Sequence, residues 1–434
     1  MTHDDPRDST AMHYLIIGAG PAGINAAEHL RKYDPTGRIT VLAAEDVPPY
    51  SRMALPYYLV GNIEAEGTYL RKNDGHFEGL SIDIVHGRAS SVDTSAKQVT
   101  LLGGDVLDYD KLLVATGATA TRPPIPGIDR DGVHNCWSLA DAQRIIADTE
   151  PGAKAILMGA GFIGCIILEA LAARKVELTV IEMESRMVSR MTNEPMGDMI
   201  KGWCEKEGIT VMTSTTVEAI EEGEGGKGLA VKTDTGGTLA ADVVICATGV
   251  RSNTAFLDGS GVLVDMGIVV DDFMQSSVAD VYAAGDVAQG RDLSTGDYYV
   301  QAIQPTAVEH GKLAAHNMAR GHLTPHPGNV NMNVLDTVGL ISTSFGLWMG
   351  VDGGEEATMS NPDRFEYLNL QFDKDVLVGA SSLGMTQHVG VLRGLIQTGA
   401  PLGVWKDRLI AEPNRISEAY LACAQSQSEA LSAA

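Results

Sequence analysis

Residues 14–23 read YLIIGAGPAG, an apolar run that stops at a glycine-rich turn. Beyond the turn, Ile24, Ala27 and Leu30 fall on one helical side, and Glu28, Arg31 and Lys32 on the other. A strand, a tight turn and an amphipathic helix are therefore expected in that order. The next apolar run, RITVLAA, completes a βαβ unit. Each glycine has a separate task in such a unit. Gly18 permits the turn, Gly20 lets backbone approach a pyrophosphate, and Gly23 lets helix and strand pack closely. The helix start, with Pro21 and Ala22, offers free N–H groups and the positive end of the helix dipole to an anion. Glu45 follows at the distance where a carboxylate can accept both hydroxyls of an adenosine ribose.

The same pattern recurs about 140 residues later. AKAILM predicts a strand, residues 162–174 a helix, and VELTVIE a second strand. The turn between them is Gly159-Ala160-Gly161-Phe162-Ile163-Gly164. Glu182, at the end of VELTVIE, can accept a ribose 2′-hydroxyl and would repel a 2′-phosphate. NADH is favoured over NADPH on that ground, with Arg186 the nearby cation that a 2′-phosphate could use. Each unit leads into a meander of short strands, then Asp, an apolar strand and Ala-Thr-Gly. Those triplets are Ala115-Thr116-Gly117 and Ala247-Thr248-Gly249, and EGEGGKG in the second meander is a hairpin loop. A third motif, Tyr282-Ala283-Ala284-Gly285-Asp286, ends an apolar strand with a carboxylate. A helix is expected from Gln304-Pro305-Thr306, with proline in its first turn.

Composition narrows the class. A chain of 434 residues with 44% hydrophobic and 20% charged residues suits two or three soluble globular domains. The net charge of −24 argues against nucleic acid, whose phosphates need clustered Lys and Arg. The start, MTHDDPRDSTAM, lacks the pattern of a signal peptide, and no apolar stretch is long enough for a membrane span. Five cysteines, Cys136, Cys165, Cys204, Cys246 and Cys423, form no CxxC pair, which suits a reducing cytoplasm and unpaired thiols. Met183, Met187 and Met191 stand at helical spacing and read as core filler. His322 and His326 are four apart, but Pro325 and Pro327 break any helix there, so no helical metal pair is expected, and no metal site is assigned. The tail AQSQSEALSAA is expected to fray.

Taken as an ordered set, GAGPAG, YDKLLVATGATATRPPIPG, GAGFIG, ADVVICATG and SVADVYAAGDVA resemble the FAD- and NAD-linked reductases built like glutathione reductase. Pro49-Tyr50-Ser51-Arg52 and the C-terminal segments NVLDTVGLISTSFG and VGVLRGLI resemble the rubredoxin- and ferredoxin-reductase branch and the flavin module of NADH-dependent nitrite reductases. That resemblance implies an α/β fold with two Rossmann-like domains, the second inserted in the first. It places an FAD domain at 1–120 and 250–325, an NAD domain at 121–249, and a C-terminal α+β dimerisation domain at 326–434. Glu45, Arg52, Ala89, Ala115, Thr116, Gly117, Gly285, Asp286, Pro305 and Thr306 would join the first glycine turn in holding FAD. Ala247, Thr248 and Gly249 would join the second in holding NAD.

Three departures from the family pattern surround the implied flavin. SRMALPYYLVG resembles the coenzyme A disulfide reductases, but Met53 stands where their redox cysteine would be. A thioether cannot become a thiolate, so it can neither attack a disulfide nor form a sulfenic acid. Tyr57 stands where ferredoxin reductases carry a lysine, and Ile166 where relatives carry a glutamate. Loss of both members of an ion pair reads as one change, because one buried charge left alone is costly. Met53, Tyr57 and Ile166 are therefore pocket candidates, and no catalytic side chain is expected beyond the flavin itself. The expectation is hydride transfer between NADH and FAD, then direct electron exchange with an iron–sulfur partner. That partner is a rubredoxin or ferredoxin, or the iron–sulfur subunits of a larger complex. The chain has no cluster-binding cysteine pattern of its own. A stand-alone NADH oxidase or quinone reductase is the alternative, and an NADH-sensing flavoprotein a third.

Overall fold

The computed structural model describes residues 11–433. The first βαβ unit comprises β1 (His13–Ile17), α1 (Pro21–Tyr33) and β2 (Arg38–Ala43). The second comprises β3 (Lys154–Met158), α2 (Phe162–Ala173) and β4 (Glu177–Ile181). Both helices start on a glycine whose backbone is extended, Gly20 and Gly161. Proline opens α1 at no cost, since its missing N–H would be unpaired there in any case.

The chain divides into two units, one made of residues 1–58, 63–119 and 250–329, the other of 59–62, 120–249 and 330–434. In the first, five parallel strands lie in the order Val281–Ala283, Lys111–Val114, β1, β2, Ile82–His86. Leu15, Ile16, Leu112, Leu113, Ile39 and Val41 are fully buried in this sheet. Each such side chain contributes about 1.5–3 kcal/mol relative to exposure. A parallel sheet buried on both faces explains why these strands are continuous apolar runs rather than alternating ones. A long helix, α3 (Gln304–Arg320), packs against α1. Gly311 makes this possible, since a Cβ there would sit 2.2 Å from the Ala22 carbonyl oxygen.

The second unit repeats the plan, with five parallel strands in the order Thr210–Met212, β4, β3, Val243–Cys246, Val133–Asn135. Its meander, Val217–Glu222, Leu229–Thr233 and Thr238–Ala241, is antiparallel, and the glycine-rich segment joins its first two strands. The same unit holds an antiparallel five-stranded sheet spanning Met332 to Leu383, backed by the helices Val389–Thr398, Val404–Ala411 and Ile416–Ala433. The last helix corrects the expectation of a frayed tail. Ala, Gln, Glu and Leu dominate the segment and favour helix.

The methionine reading also needs correction. Residues 183–191 form turns, not helix, so the spacing carried no periodic meaning. Met187 and Met191 are buried, whereas Met183 is exposed.

Candidate dinucleotide sites

The two glycine turns are built alike, bond for bond. Gly18 N donates to Leu42 O at 2.9 Å, and Gly159 N donates to Ile181 O at 2.8 Å. Ala115 N reaches Ile17 O and Ala247 N reaches Met158 O, each at 2.8 Å. Gly18 (φ 116°) and Gly159 (φ 99°) hold backbone that favours glycine. A Cβ on Gly18 would lie 2.2 Å from Ala115 O, and one on Gly159 would lie 2.6 Å from Ala247 O. The third glycine of each turn faces the first: a Cβ on Gly23 would meet Gly18 O at 1.9 Å, and one on Gly164 would meet Gly159 O at 2.2 Å.

The middle glycines differ in kind. A Cβ on Gly20 or on Gly161 would meet nothing within 4 Å, and neither has a positive φ. No protein atom requires glycine at these two positions. A group outside the protein, approaching the backbone at the helix N-terminus, would. The turns thus fit two dinucleotides on this chain's own geometry.

The two acids are held differently. Glu182 is 7% exposed. Its Oε2 accepts from Ala160 N at 2.6 Å, and its Oε1 from Glu184 N at 2.9 Å. The glycine turn itself therefore fixes the carboxylate that was expected to read a ribose. Arg186 is turned to its own loop, donating to Thr192 O at 2.9 Å and Ser189 O at 3.2 Å. Glu45 is half-exposed and pairs with Arg52 at 2.7 Å. The Tyr50 hydroxyl donates to its other oxygen at 2.7 Å, and Arg52 donates to that hydroxyl at 3.1 Å. Tyr50 thus joins Glu45 and Arg52 in one cluster, and its hydroxyl's role has no sequence signal beyond the Pro-Tyr-Ser-Arg run.

The segment after the first apolar strand is clamped by Asn253, a residue the sequence did not single out. Its amide donates to Thr116 O at 2.9 Å and its backbone N–H to Gly117 O at 2.9 Å. Thr116 Oγ1 returns a bond to Asn253 O at 2.8 Å. In the second unit Thr121 plays this part, donating from its N–H to Gly249 O at 2.9 Å and accepting from Thr248 Oγ1 at 3.0 Å. Gly285 brings helix starts together: a Cβ there would lie 3.2 Å from Ala22 and 3.3 Å from Ala307. Asp286 follows it, and burial pushes its carboxyl up from the ordinary value while the Arg52 charge opposes that shift. Ser51 Oγ donates to Gln304 Oε1 at 2.5 Å, fixing the first turn of α3, where Pro305 and buried Thr306 lie. Ala89 is half-buried at the start of the strand Ala89–Asp93.

Of the pocket candidates, Met53 and Tyr57 are exposed in the first unit, at 50% and 58%. Ile166 is half-buried on α2 in the second. All five cysteines are free. Burial drives the Cys136 and Cys204 thiols up to about 12 and Cys246 to about 11, and raises Cys165 and Cys423 as well. Neutral thiols are poor nucleophiles, and four of the five are buried, Cys136 being half-buried. His326 meets His310 with ring centroids 5.1 Å apart, while His322 stacks on Phe273. Among the described residues no three His, Cys, Asp or Glu side chains cluster as metal ligands, and no helix is long and apolar enough to cross a membrane.

A family profile described as pyridine nucleotide-disulphide oxidoreductase matches residues 12–311. The NADH-dependent phenylglyoxylate dehydrogenase subunit epsilon of Aromatoleum evansii is 31% identical over 402 residues, 92% of this chain and 95% of that protein. An NADH oxidase of Methanocaldococcus jannaschii is 32% identical over 317 residues, 71% of this chain and 70% of that protein. A rubredoxin-NAD(+) reductase of Pseudomonas putida is 28% identical over 387 residues, 89% of this chain and 99% of that protein.

Proposed function

The chain belongs to the pyridine nucleotide-disulphide oxidoreductase family, and from that premise we propose that it exchanges electrons directly between its flavin and an iron–sulfur partner. It is an NAD(H)-dependent flavin oxidoreductase that uses FAD and NADH. Bound FAD supplies a centre that takes two electrons as hydride and can release them singly. The chain's own residues supply binding and orientation. The turn from Gly18 to Gly23 would hold the FAD pyrophosphate, Glu45 and Arg52 its adenosine and phosphate end, and Asp286 its ribityl hydroxyls. The first turn of α3, with Pro305 and Thr306, would offer a positive dipole end to reduced flavin. The turn from Gly159 to Gly164 and the fixed carboxylate of Glu182 would hold NADH. Arg186 is committed to two backbone carbonyls of its own loop, which supports NADH over NADPH.

The observation that carries the reading is the absence of a usable thiol. Met53 is exposed where the relay sulfur would be, and each cysteine is free with its thiol held neutral. Electrons must then leave from the flavin without a cysteine step. A relative that is a subunit of an NADH-dependent dehydrogenase and another that reduces rubredoxin support a protein acceptor. The NADH oxidase relative favours oxygen as the second reading. One experiment separates them. The flavin is reduced anaerobically with NADH, then mixed in a stopped-flow instrument with oxidised rubredoxin, with a ferredoxin, or with air-saturated buffer. Reoxidation faster with an iron–sulfur protein than with oxygen is expected. Isolation as a lone homodimer with fast NADH-driven oxygen consumption would overturn the proposal.

A further inference from the structure

Residues 59–62 count with the second unit, although the helix that ends among them, Leu55–Val60, begins in the first. Arg174 fastens that helix end. It is the C-terminal cap of α2, the helix that starts from Gly161 in the second glycine turn. Its Nη1 donates to Leu59 O at 2.9 Å. Its Nε donates to Thr149 Oγ1 at 2.7 Å, and its Nη2 to Ile146 O at 2.8 Å and Thr149 O at 2.9 Å. Ile146 and Thr149 close the helix Leu139–Asp148. One residue thus joins three helix ends, where the last carbonyls have no partner within their own helix.

No carboxylate offsets the cost of placing the charge there. Burial is the one influence on the Arg174 pKa, and it lowers it. The carbonyls at the helix ends supply negative potential instead. Leu59 and Thr149 are fully buried, so water does not compete for these bonds. A guanidinium also fixes direction, because its donors form a rigid planar fork, whereas a lysine offers one nitrogen on a flexible stem.

The chain shows what the link holds. Leu59 lies two residues beyond Tyr57 and six beyond Met53, the two candidates that border the implied flavin. The start of α2 would hold NADH. Hydride transfer depends steeply on placement, and a shift of about 1 Å caused far from the chemistry can cost on the order of 100-fold in rate. We infer that Arg174 is a positioning residue for hydride transfer, tying the end of the Leu55–Val60 helix to the NADH-binding helix α2. The inference rests on reading Met53 and Tyr57 as flavin neighbours and the second glycine turn as the NADH site.

The test uses the purified, FAD-loaded full-length protein and NADH. Anaerobic stopped-flow at several NADH concentrations gives the limiting rate of flavin reduction and the NADH Kd separately. In Arg174→Met the limiting rate is expected to fall about tenfold, with Kd within about twofold of wild type and faster amide hydrogen exchange over residues 55–62. Arg174→Lys keeps the charge and recovers part of the rate, and it carries the test if the methionine variant does not fold. Thr149→Val removes a hydroxyl that accepts from Arg174 and donates to Ile145 O at 2.5 Å, but spares the bond to Leu59. Its thermal midpoint should fall while its limiting rate stays within about twofold of wild type. A wild-type limiting rate in Arg174→Met, or a loss of rate in Thr149→Val as large as in Arg174→Met, would overturn the inference and leave Arg174 a structural role alone. A wild type that NADH does not reduce would instead overturn the hydride reading on which the inference rests.

Discussion

At the scale of the residue, the six motif glycines fall into two classes that the sequence writes with the same letter. Gly18 and Gly159 answer to backbone conformation, and Gly23 and Gly164 to carbonyl oxygens of the same turn. Gly20 and Gly161 answer to nothing in the protein. Substitution separates the classes. Gly23→Ala should lose on the order of 3 kcal/mol of stability, because the new carbon collides with backbone. Gly20→Ala should change stability by less than about 1 kcal/mol yet weaken FAD retention about tenfold or more. Thermal unfolding of the apoprotein and flavin dissociation measure the two effects independently, and equal stability losses in both variants would contradict this assignment. Glu182 gives a second contrast. Glu182→Gln keeps an acceptor for a backbone N–H but removes the charge, so the ratio of kcat/KM for NADH over NADPH should fall about tenfold. An unchanged ratio would mean that Glu182 does not read the ribose. The glycines and both acids were legible because their spacing is a covalent fact. Asn253 and Thr121 were not, because each meets its triplet through a fold-level return of the chain.

At the scale of the element, the start of α3 was legible from its proline, but what the helix shelters was not. His310 faces inward from α3 and is 3% exposed, bonded from Nε2 to Asn329 Oδ1 at 2.9 Å. Burial, reinforced by the neighbouring His326, pushes its pKa down to about 4. His326 is lowered too, with Glu309 and Asp272 opposing that shift. The sign follows from linkage. Below the ordinary histidine value of about 6.5 the unfolded chain binds a proton that the folded chain refuses until about pH 4. The stability that this neutral pair contributes is present above pH 6.5 and is lost as pH falls toward 4. The His310 share is on the order of 3 kcal/mol. Urea midpoints between pH 7 and 4 should therefore drop in wild type and drop less in His310→Gln. Parallel pH profiles for the two proteins would show that His310 is not the titrating group. The sequence put His326 beside His322, four positions away, when its partner in space is His310. Contacts between a helix and a proline-broken segment leave no period to read.

At the scale of the whole molecule, the duplicated βαβ plan was readable because each half repeats the same strand, turn and acid. The antiparallel sheet from Met332 to Leu383 was readable as β-rich, but not its order, because hairpins and returns look alike in composition. The distribution of thiols also belongs to this scale, since the five cysteines are spread over the chain and share one condition. Each is held neutral by burial, with Cys136, Cys204 and Cys246 raised to between about 11 and 12. At neutral pH almost no thiolate exists at these positions, and the thiolate is the reactive form. N-ethylmaleimide should therefore leave NADH-driven flavin reduction and onward transfer to an iron–sulfur protein unchanged, with alkylation appearing only on unfolding. Mass spectrometry of the treated native protein and the rate of flavin reoxidation are the two readouts. Met53→Cys supplies the control, because it places a thiol at a position 50% exposed. That variant should take up one equivalent of reagent rapidly while the wild type does not. If alkylation of wild type stopped electron flow, one of the five cysteines would have to take part in turnover, and direct transfer from the flavin would fail as an account of this enzyme.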